Sequence, residues 1–296
     1  MEMPLDRSHI ETEKQNKYTM ELDLCDTHEL VSLLAEDHQQ AIVAVEEAAE
    51  TIAIFIDALT ARVKRGGRLL YLGCGTSGRL GVLDAAECPP TFQSDPSLVV
   101  GLIAGGDRSL KKSSEEEEDK PDGANIALVE LNLTENDTVL GIAAGGTTPW
   151  VLGGLTIAKQ MGAMTGFLTC SSEKPSCDHL IQLRSGAEPL TGSTRMKAAT
   201  ATKLTLNIIT TALFTRLGKV YGNLMVDLKA SNSKLQDRAI RILCRVCNVE
   251  RNEAIALLEL TSGEVKVAIV MCKKQVDVET AKTLLEGVGG NVRAAL

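Results

Sequence analysis

The sequence predicts an α/β fold, a doubly wound parallel sheet followed by a small C-terminal helical domain. Two observations carry this. Short apolar runs, "RLLYLGC" (68–74), "SLVVGLIAG" (97–105), "DTVLGIAA" (137–144) and "AMTGFLTC" (163–170), alternate with stretches long enough for a helix or a glycine-rich loop. Continuous apolar strands of this kind belong to sheets covered on both faces. From about residue 237 the pattern changes to short amphipathic helices.

Taken in order, residues 1–24 are polar and mixed, and read as an arm lying over the main domain or a partner subunit. Asp26 or Thr27 is placed to cap the next segment, where Leu30, Val31, Leu33, Leu34, Ile42 and Val45 recur at helical spacing as far as the Gly66-Gly67 stop. Two helices are expected there. After the four strands, "HLIQL" (179–183) is a candidate fifth, and residues 191–220 read as one long proline-free helix. The domain division expected is 1–50 for the arm and first helices, 51–230 for the sheet domain and 237–296 for the helical domain. That last part holds an internal echo at an offset of 27 residues, aligning Leu257 with Leu284, Glu259 with Glu286, Gly263 with Gly290 and Val265 with Val292. Each copy reads as helix, glycine turn, helix, and two copies are too few for a solenoid.

Composition narrows the function. A net charge of −8 over 296 residues argues against a nucleic-acid partner, which needs a concentrated basic surface. No apolar run reaches the roughly 18 residues of a membrane helix, the start has no apolar centre of a signal peptide, and the eight cysteines are scattered as reduced thiols would be. These features point to the cytoplasm. Cys244 and Cys247 have CxxC spacing within an amphipathic helix, without a second pair or paired histidines, and read as core thiols. No metal is expected.

Two loops carry chemistry. In "YLGCGTSGR" a strand ends in Gly73 and passes through Cys74, Gly75, Thr76, Ser77 and Gly78 into a helix beginning near Arg79. Glycines let backbone approach an anion, hydroxyls donate to its oxygens, and the helix N-terminus supplies oriented N–H groups. The loop "GIAAGGTTPW" repeats the arrangement after another strand with Gly145, Gly146, Thr147 and Thr148, and Pro149 starts a helix. Ligands of open parallel sheets sit beyond the carboxyl ends of the strands, so paired hydroxyl-bearing loops suggest a sugar phosphate rather than a nucleotide. In "GAEPLTGSTRMKAATATK" the residues Glu188, Ser193, Thr194, Arg195 and Lys197 stand where the long helix begins, either as a third anion contact or as an ordinary capped start.

Glu87 lies nine residues past Gly78, with Pro89-Pro90 expected to end a helix of about two turns there. A carboxylate at a helix C-terminus, flanked by Ala85, Ala86 and Cys88, is a candidate proton donor with a raised pKa. A surface glutamate fits the same residues equally well. In the acidic run "DRSLKKSSEEEEDKPDG" (107–123), Glu115 and Glu118 would share a helix face, and a solvated helix start is the stronger reading from composition.

Taken together, "GCGTSGRLGVLDAAECPPTF", "GLIAGGDRS", "LTGSTRMKAATATK" and "GKVYGNLMVDLKASNSKL" closely resemble the N-acetylmuramic acid 6-phosphate etherases of the sugar isomerase (SIS) superfamily, over nearly the whole chain. The resemblance implies cleavage of the D-lactyl ether of N-acetylmuramic acid 6-phosphate during cell-wall recycling, an SIS sheet domain with a small helical domain similar to ubiquitin-associated domains, a homodimer, and no metal or organic cofactor. It implies that Glu87, in the Glu-Cys-Pro-Pro motif, is the proton donor. Counting 31 residues on places the second catalytic glutamate at Glu118, with Glu115 matching the earlier glutamate of that acidic motif. The implied phosphate contacts are Gly75, Thr76, Ser77, Gly78, Gly146, Thr147, Thr148, Ser193, Thr194 and Lys197. The chain departs from the family at Gly145 and Thr147, where a serine and an arginine are usual, at Gln15, where an arginine is usual, and in the missing Gly-Ala of the acidic motif. A non-catalytic sugar-phosphate-binding regulator resembling glucokinase regulatory protein, and a sugar-phosphate isomerase, are the alternatives.

Overall fold

The computed structural model describes residues 6–112, 115–228 and 233–296, with the side chain of Glu115 outside the description. The chain divides into two compact units, Met1–Ala86 with Ser97–Ile209, and Glu87–Pro96 with Thr210–Leu296.

The first unit holds a five-stranded parallel sheet of β1 (Leu69–Gly73), β2 (Val99–Ile103), β3 (Thr138–Ile142), β4 (Met164–Thr169) and β5 (His179–Gln182), in the order β2-β1-β3-β4-β5. All five expected strands are present. Side-chain alternation along β1 shows why the sheet is doubly wound. Leu70 and Leu72 join the buried cluster containing Trp150, Val151 and Leu155 of α8 (Pro149–Gln160). Tyr71 faces the other way, and its hydroxyl donates to Asp84 Oδ2 at 3.0 Å on α4 (Gly75–Phe92).

Three helices, not the two expected, precede the sheet: α1 (Thr27–Asp37), α2 (Gln39–Glu47) and α3 (Ala49–Val63). His38 and Ala48 interrupt them but stay close to helical dihedrals, so the apolar spacing runs through both joints unbroken. Asp26 caps α1 in a capping box with Glu29, each side chain paired with the other's backbone N–H at 2.9 Å. The arm forms two 3₁₀ turns, Glu11–Glu13 and Leu22–Leu24. It lies on the segment after β5, where Thr19 Oγ1 donates to Pro189 O at 2.8 Å and Gly192 N–H donates to Thr12 O at 3.2 Å.

Between β2 and β3 come three short helices, α5 (Arg108–Lys111), α6 (Glu115–Glu118) and α7 (Asn125–Glu130). The long helix after β5 is α9, Lys197–Arg216, shorter at both ends than the expected 191–220, whose last residue belongs to the next strand instead. Its first two N–H groups donate outside the helix to Glu188, and residues 191–196 form the turns that bring Glu188 there.

In the second unit a small antiparallel hairpin, β6 (Val220–Tyr221) and β7 (Leu224–Met225), precedes α10 (Ser233–Cys247), α11 (Arg251–Leu260), α12 (Val265–Lys274), α13 (Val278–Glu286) and α14 (Val292–Ala295). The echo is structural. Gly263 and Gly290 both take positive φ, +87° and +77°, and their N–H groups close the preceding helices onto Leu258 O and Leu285 O at 2.8 and 2.7 Å. The aligned Val265 and Val292 are both buried in the bundle core, which Cys244 and Cys247 flank as half-buried thiols.

Candidate active site

The strand order reverses between β1 and β3, and a crevice beyond the carboxyl ends of strands at such a switch point is where ligands bind open α/β sheets. Both sequence-identified loops emerge there, side by side. In the first, β1 meets the opening turn of α4 backbone to backbone. A Cβ on Gly78 would stand 2.6 Å from Gly73 O, and one on Gly73 would stand 2.6 Å from Gly78 N. Glycine at both places lets the strand turn straight into the helix. Gly75 is exposed with φ +50°, and Thr76 and Ser77 are half-buried in the first turn. Arg79, whose Nε donates to Leu110 O at 3.2 Å, ties this helix to the end of α5.

In the second loop Gly146 has φ +81° and its N–H donates to Ala143 O at 3.0 Å. A Cβ there would meet Ser171 Oγ and Glu173 Cβ, each at 2.5 Å. The loop is backed by the segment after β4. Cys170 N–H and Thr169 Oγ1 both donate to Ala144 O, at 2.9 and 3.1 Å, and Thr169 and Ser171 share a hydroxyl contact of 3.1 Å. Sequence reading missed this third wall. Its signal was available in the hydroxyls of "LTCSS" at a strand's carboxyl end. Thr148 precedes Pro149 at the start of α8 without spending its hydroxyl on capping, and Thr147 is half-buried beside it.

Glu118, at the end of α6, is half-buried. Burial first, then the negative charges of Glu118 and Asp119, push the Cys74 thiol up to about 12. The carboxylate is therefore felt inside the first loop, which the solvated reading of the acidic run did not anticipate. Its neighbours fit that reading better: Glu116 is exposed, and Glu117 pairs with Lys120 at 2.8 Å.

Glu87 sits differently from expectation. The helix carrying it is 18 residues long and continues through Pro89 and Pro90 to Phe92, where Gln93 at φ +49° ends it. Prolines this close to a helix end remove only hydrogen bonds of the last turns, and Phe92 is anchored by stacking on Phe214, ring centroids 4.3 Å apart. Ala86 and Glu87 are exposed, while Ala85 and Cys88 are buried. The dry surroundings expected from the flanking residues do not arise, because adjacent helix positions point in different directions.

At the start of α9, Ser193 and Thr194 are half-buried in the turn. Glu188, fully buried, accepts N–H bonds from Lys197 and Ala198 at 3.0 and 2.9 Å, and burial holds its carboxyl above the usual range. Lys197 is buried too, with Nζ 3.0 Å from Asp37 Oδ1, an oxygen that also accepts from Asn16 Nδ2 at 2.9 Å. The helix N-terminus and the lysine charge, both offered by the sequence as anion contacts, already have internal partners. Among the described residues no group of three or more His, Cys, Asp or Glu side chains could hold a metal ion.

Comparison with known proteins resolves the family. Residues 51–159 match the model of the glucokinase regulatory protein N-terminal SIS domain, and residues 222–262 match that of its C-terminal lid domain. Over the full length the relatives are different. N-acetylmuramic acid 6-phosphate etherase of Synechococcus sp. (strain CC9902) is 49% identical over 98% of this chain and 93% of its own. That of Crocosphaera subtropica is 46% identical over 100% and 98%, and that of Gloeobacter violaceus 47% over 98% and 96%. The chain belongs to this etherase family. Among solved structures, a phosphoheptose isomerase from Francisella tularensis covers 64% of the chain at 16% identity, with a TM-score of 0.49. Like other members of the etherase family the chain is an enzyme, a sheet domain of SIS type followed by a helical lid-type domain. Among the described residues no helix is long and apolar enough to cross a membrane.

Proposed function

We propose that the chain cleaves the D-lactyl ether of N-acetylmuramic acid 6-phosphate, giving N-acetylglucosamine 6-phosphate and D-lactate in cell-wall sugar recycling. The observation that carries this is the identity of 46–49% to etherases along nearly the whole chain. The regulator reading is not favoured, because those full-length relatives are named as etherases while the regulatory-protein models match only 51–159 and 222–262.

In the ring-opened sugar the C2 proton is α to the C1 aldehyde and acidic. Glu118 removes it as general base, Glu87 protonates the C3 ether oxygen, and lactate leaves with the C3–O bond electrons as the C2–C3 double bond forms. Water then adds across that double bond, its oxygen to C3 and a proton to C2, with the two carboxyl groups reversing their transfers. The phosphate is held by Gly75, Thr76, Ser77 and Gly78 in the first loop and by Gly146, Thr147 and Thr148 in the second, with Ser193 and Thr194 completing the contacts. Lys197 adds a wall whose charge Asp37 already balances, so phosphate contact falls to hydroxyls and backbone N–H groups.

A homodimer in the cytoplasm fits the exposed apolar side chains of the first helices. The helix α1 buries none of its residues, and Val31, Ile42 and Ile54 are exposed by 64%, 52% and 53%. None of the eight cysteines is in a disulfide.

The test is D-lactate release from N-acetylmuramic acid 6-phosphate by wild type, Glu87→Gln and Glu118→Gln. Wild type should release it, and each variant should lose about 10²–10⁴-fold in kcat, the usual worth of a positioned acid or base. A folded wild-type protein that releases no lactate refutes the activity; a fully active Glu87→Gln variant refutes the assignment of the acid.

A further inference from the structure

We propose that the helical bundle carries a second anion site, a groove between α10 and the β6–β7 hairpin that takes a small organic phosphate monoester. The amphipathic α10 turns Ala239, Ile240, Ile242 and Leu243 into the bundle core. Its opposite stripe presents Arg238, Arg241 and Arg245, spaced at i, i+3 and i+7, and all three line a cavity of about 740 Å³ with Asn223, Leu224 and Met225 of the hairpin.

The charges do not balance within that cavity. Asp237 pairs with Arg241 at 2.8 Å and with Arg251 at 2.9 Å, which uses both of its oxygens. No carboxylate among the described residues lies at ion-pair distance from Arg238 or Arg245, and none lines the groove. In a chain of net charge −8, carboxylates are plentiful. Arg238 and Arg245, two helical turns apart on one stripe and without a carboxylate partner among the described residues, therefore mark a surface whose counter-ion comes from outside.

The class of that counter-ion follows from the walls. Guanidinium forks match the oxygens of a phosphate two at a time, and Asn223 adds an amide at the rim. Leu224, Met225 and Ile242 make the remaining wall apolar, which suits the carbon face of an ester and offers nothing to a bare ion. The volume lies within the roughly 300–1,000 Å³ of small-molecule sites, which fits a hexose phosphate. None of these residues belongs to the loops of the sheet.

Phenylglyoxal modification of the full chain, read by peptide mass spectrometry at Arg238 and Arg245 with exposed Arg216 as the reference, tests the site. Glucose 6-phosphate at ten times its dissociation constant should slow modification of both groove arginines about tenfold, as 1 + [L]/Kd requires, and leave Arg216 unchanged. Inorganic phosphate at the same concentration should protect less. In Arg245→Gln, checked for an unchanged melting temperature, protection at Arg238 should be lost; Arg245→Lys should restore part of it. Equal rates with and without the sugar phosphate overturn the site, and so does undiminished protection at Arg238 in Arg245→Gln. Equal protection by inorganic phosphate overturns the ester assignment, and protection by a glutamate-rich peptide alone replaces it with an acidic segment.

Discussion

Replacing Gly146 by alanine separates what the second loop needs from what its composition merely contains. At φ +81° an L-residue pays about 1–2 kcal/mol for the left-handed backbone. The added Cβ would also lie 2.5 Å from Ser171 Oγ and from Glu173 Cβ, closer than real Cβ contacts allow. Forcing a methyl into such space costs about 1–3 kcal/mol, so the total is about 2–5 kcal/mol. At about 2–4 °C per kcal/mol for a unit of this size, the melting temperature should fall by about 4–20 °C. The neighbouring Gly145→Ala is the control, since nothing lies within 4 Å of its Cβ position and its φ is not positive. It should stay within about 0.5 kcal/mol of wild type. Thermal unfolding by circular dichroism and the KM for lactate release read the two effects together. If Gly146→Ala matches Gly145→Ala in both, the backing of the loop by Ser171 and Glu173 is not what shapes it.

Two further outcomes follow from the electrostatics. The Asp137 carboxylate is almost fully buried; burial raises its pKa, but Arg68, donating to Oδ1 at 3.0 Å and to Oδ2 at 2.9 Å, and the N–H groups of Thr134 and Arg68 more than offset this and hold it below the usual range. A depressed folded pKa gives stability that is present above the unfolded value of 3.8 and is lost as pH falls through the folded one. Urea midpoints should therefore drop in acid for wild type and vary less in Asp137→Asn, which should already be about 3–5 kcal/mol less stable at pH 7; a parallel pH dependence would contradict the assignment. Separately, Glu118→Gln should lower the Cys74 thiol from about 12 and speed its alkylation by iodoacetamide in the folded protein, by roughly two- to tenfold. An unchanged rate would mean that the Glu118 charge does not reach the first loop.

The parts of this fold that were legible in the sequence are those set by local pattern. Four apolar runs became parallel strands because a strand buried on both faces is apolar throughout, while the mixed "HLIQL" became the half-buried edge strand β5; the 27-residue echo became paired helix-turn-helix units because Gly263 and Gly290 fill the same left-handed position. What pattern could not show were partners distant in sequence. Lys197 reads as a free cation until Asp37, 160 residues earlier, is found 3.0 Å from its ammonium group. Glu118 reads as one more solvated charge until Cys74 reports it. Pro89 and Pro90 read as a stop signal because the rule is local, whereas the contact that carries the helix to Phe92 comes from Phe214.

These long-range pairings bear on the proposed chemistry. A base that must remove a carbon-bound proton loses strength beside a free cation, since a neighbouring positive charge favours the carboxylate over the acid it has to become. In the first unit the Lys197 charge at the α9 start is neutralised by Asp37, and the positive end of that helix is taken by Glu188. On the proposed reading the phosphate would be left to hydroxyls and N–H dipoles, whose fields fall off faster with distance than that of an ammonium ion. Were the phosphate dianion held in the first loop as proposed, its charge would favour the protonated form of Glu118, so substrate binding itself would strengthen the base. On this account the serine-to-glycine and arginine-to-threonine departures at Gly145 and Thr147 weaken phosphate binding more than they slow the proton transfer. Restoring a cation by Thr147→Arg should accordingly lower KM for the sugar phosphate without a matching gain in kcat.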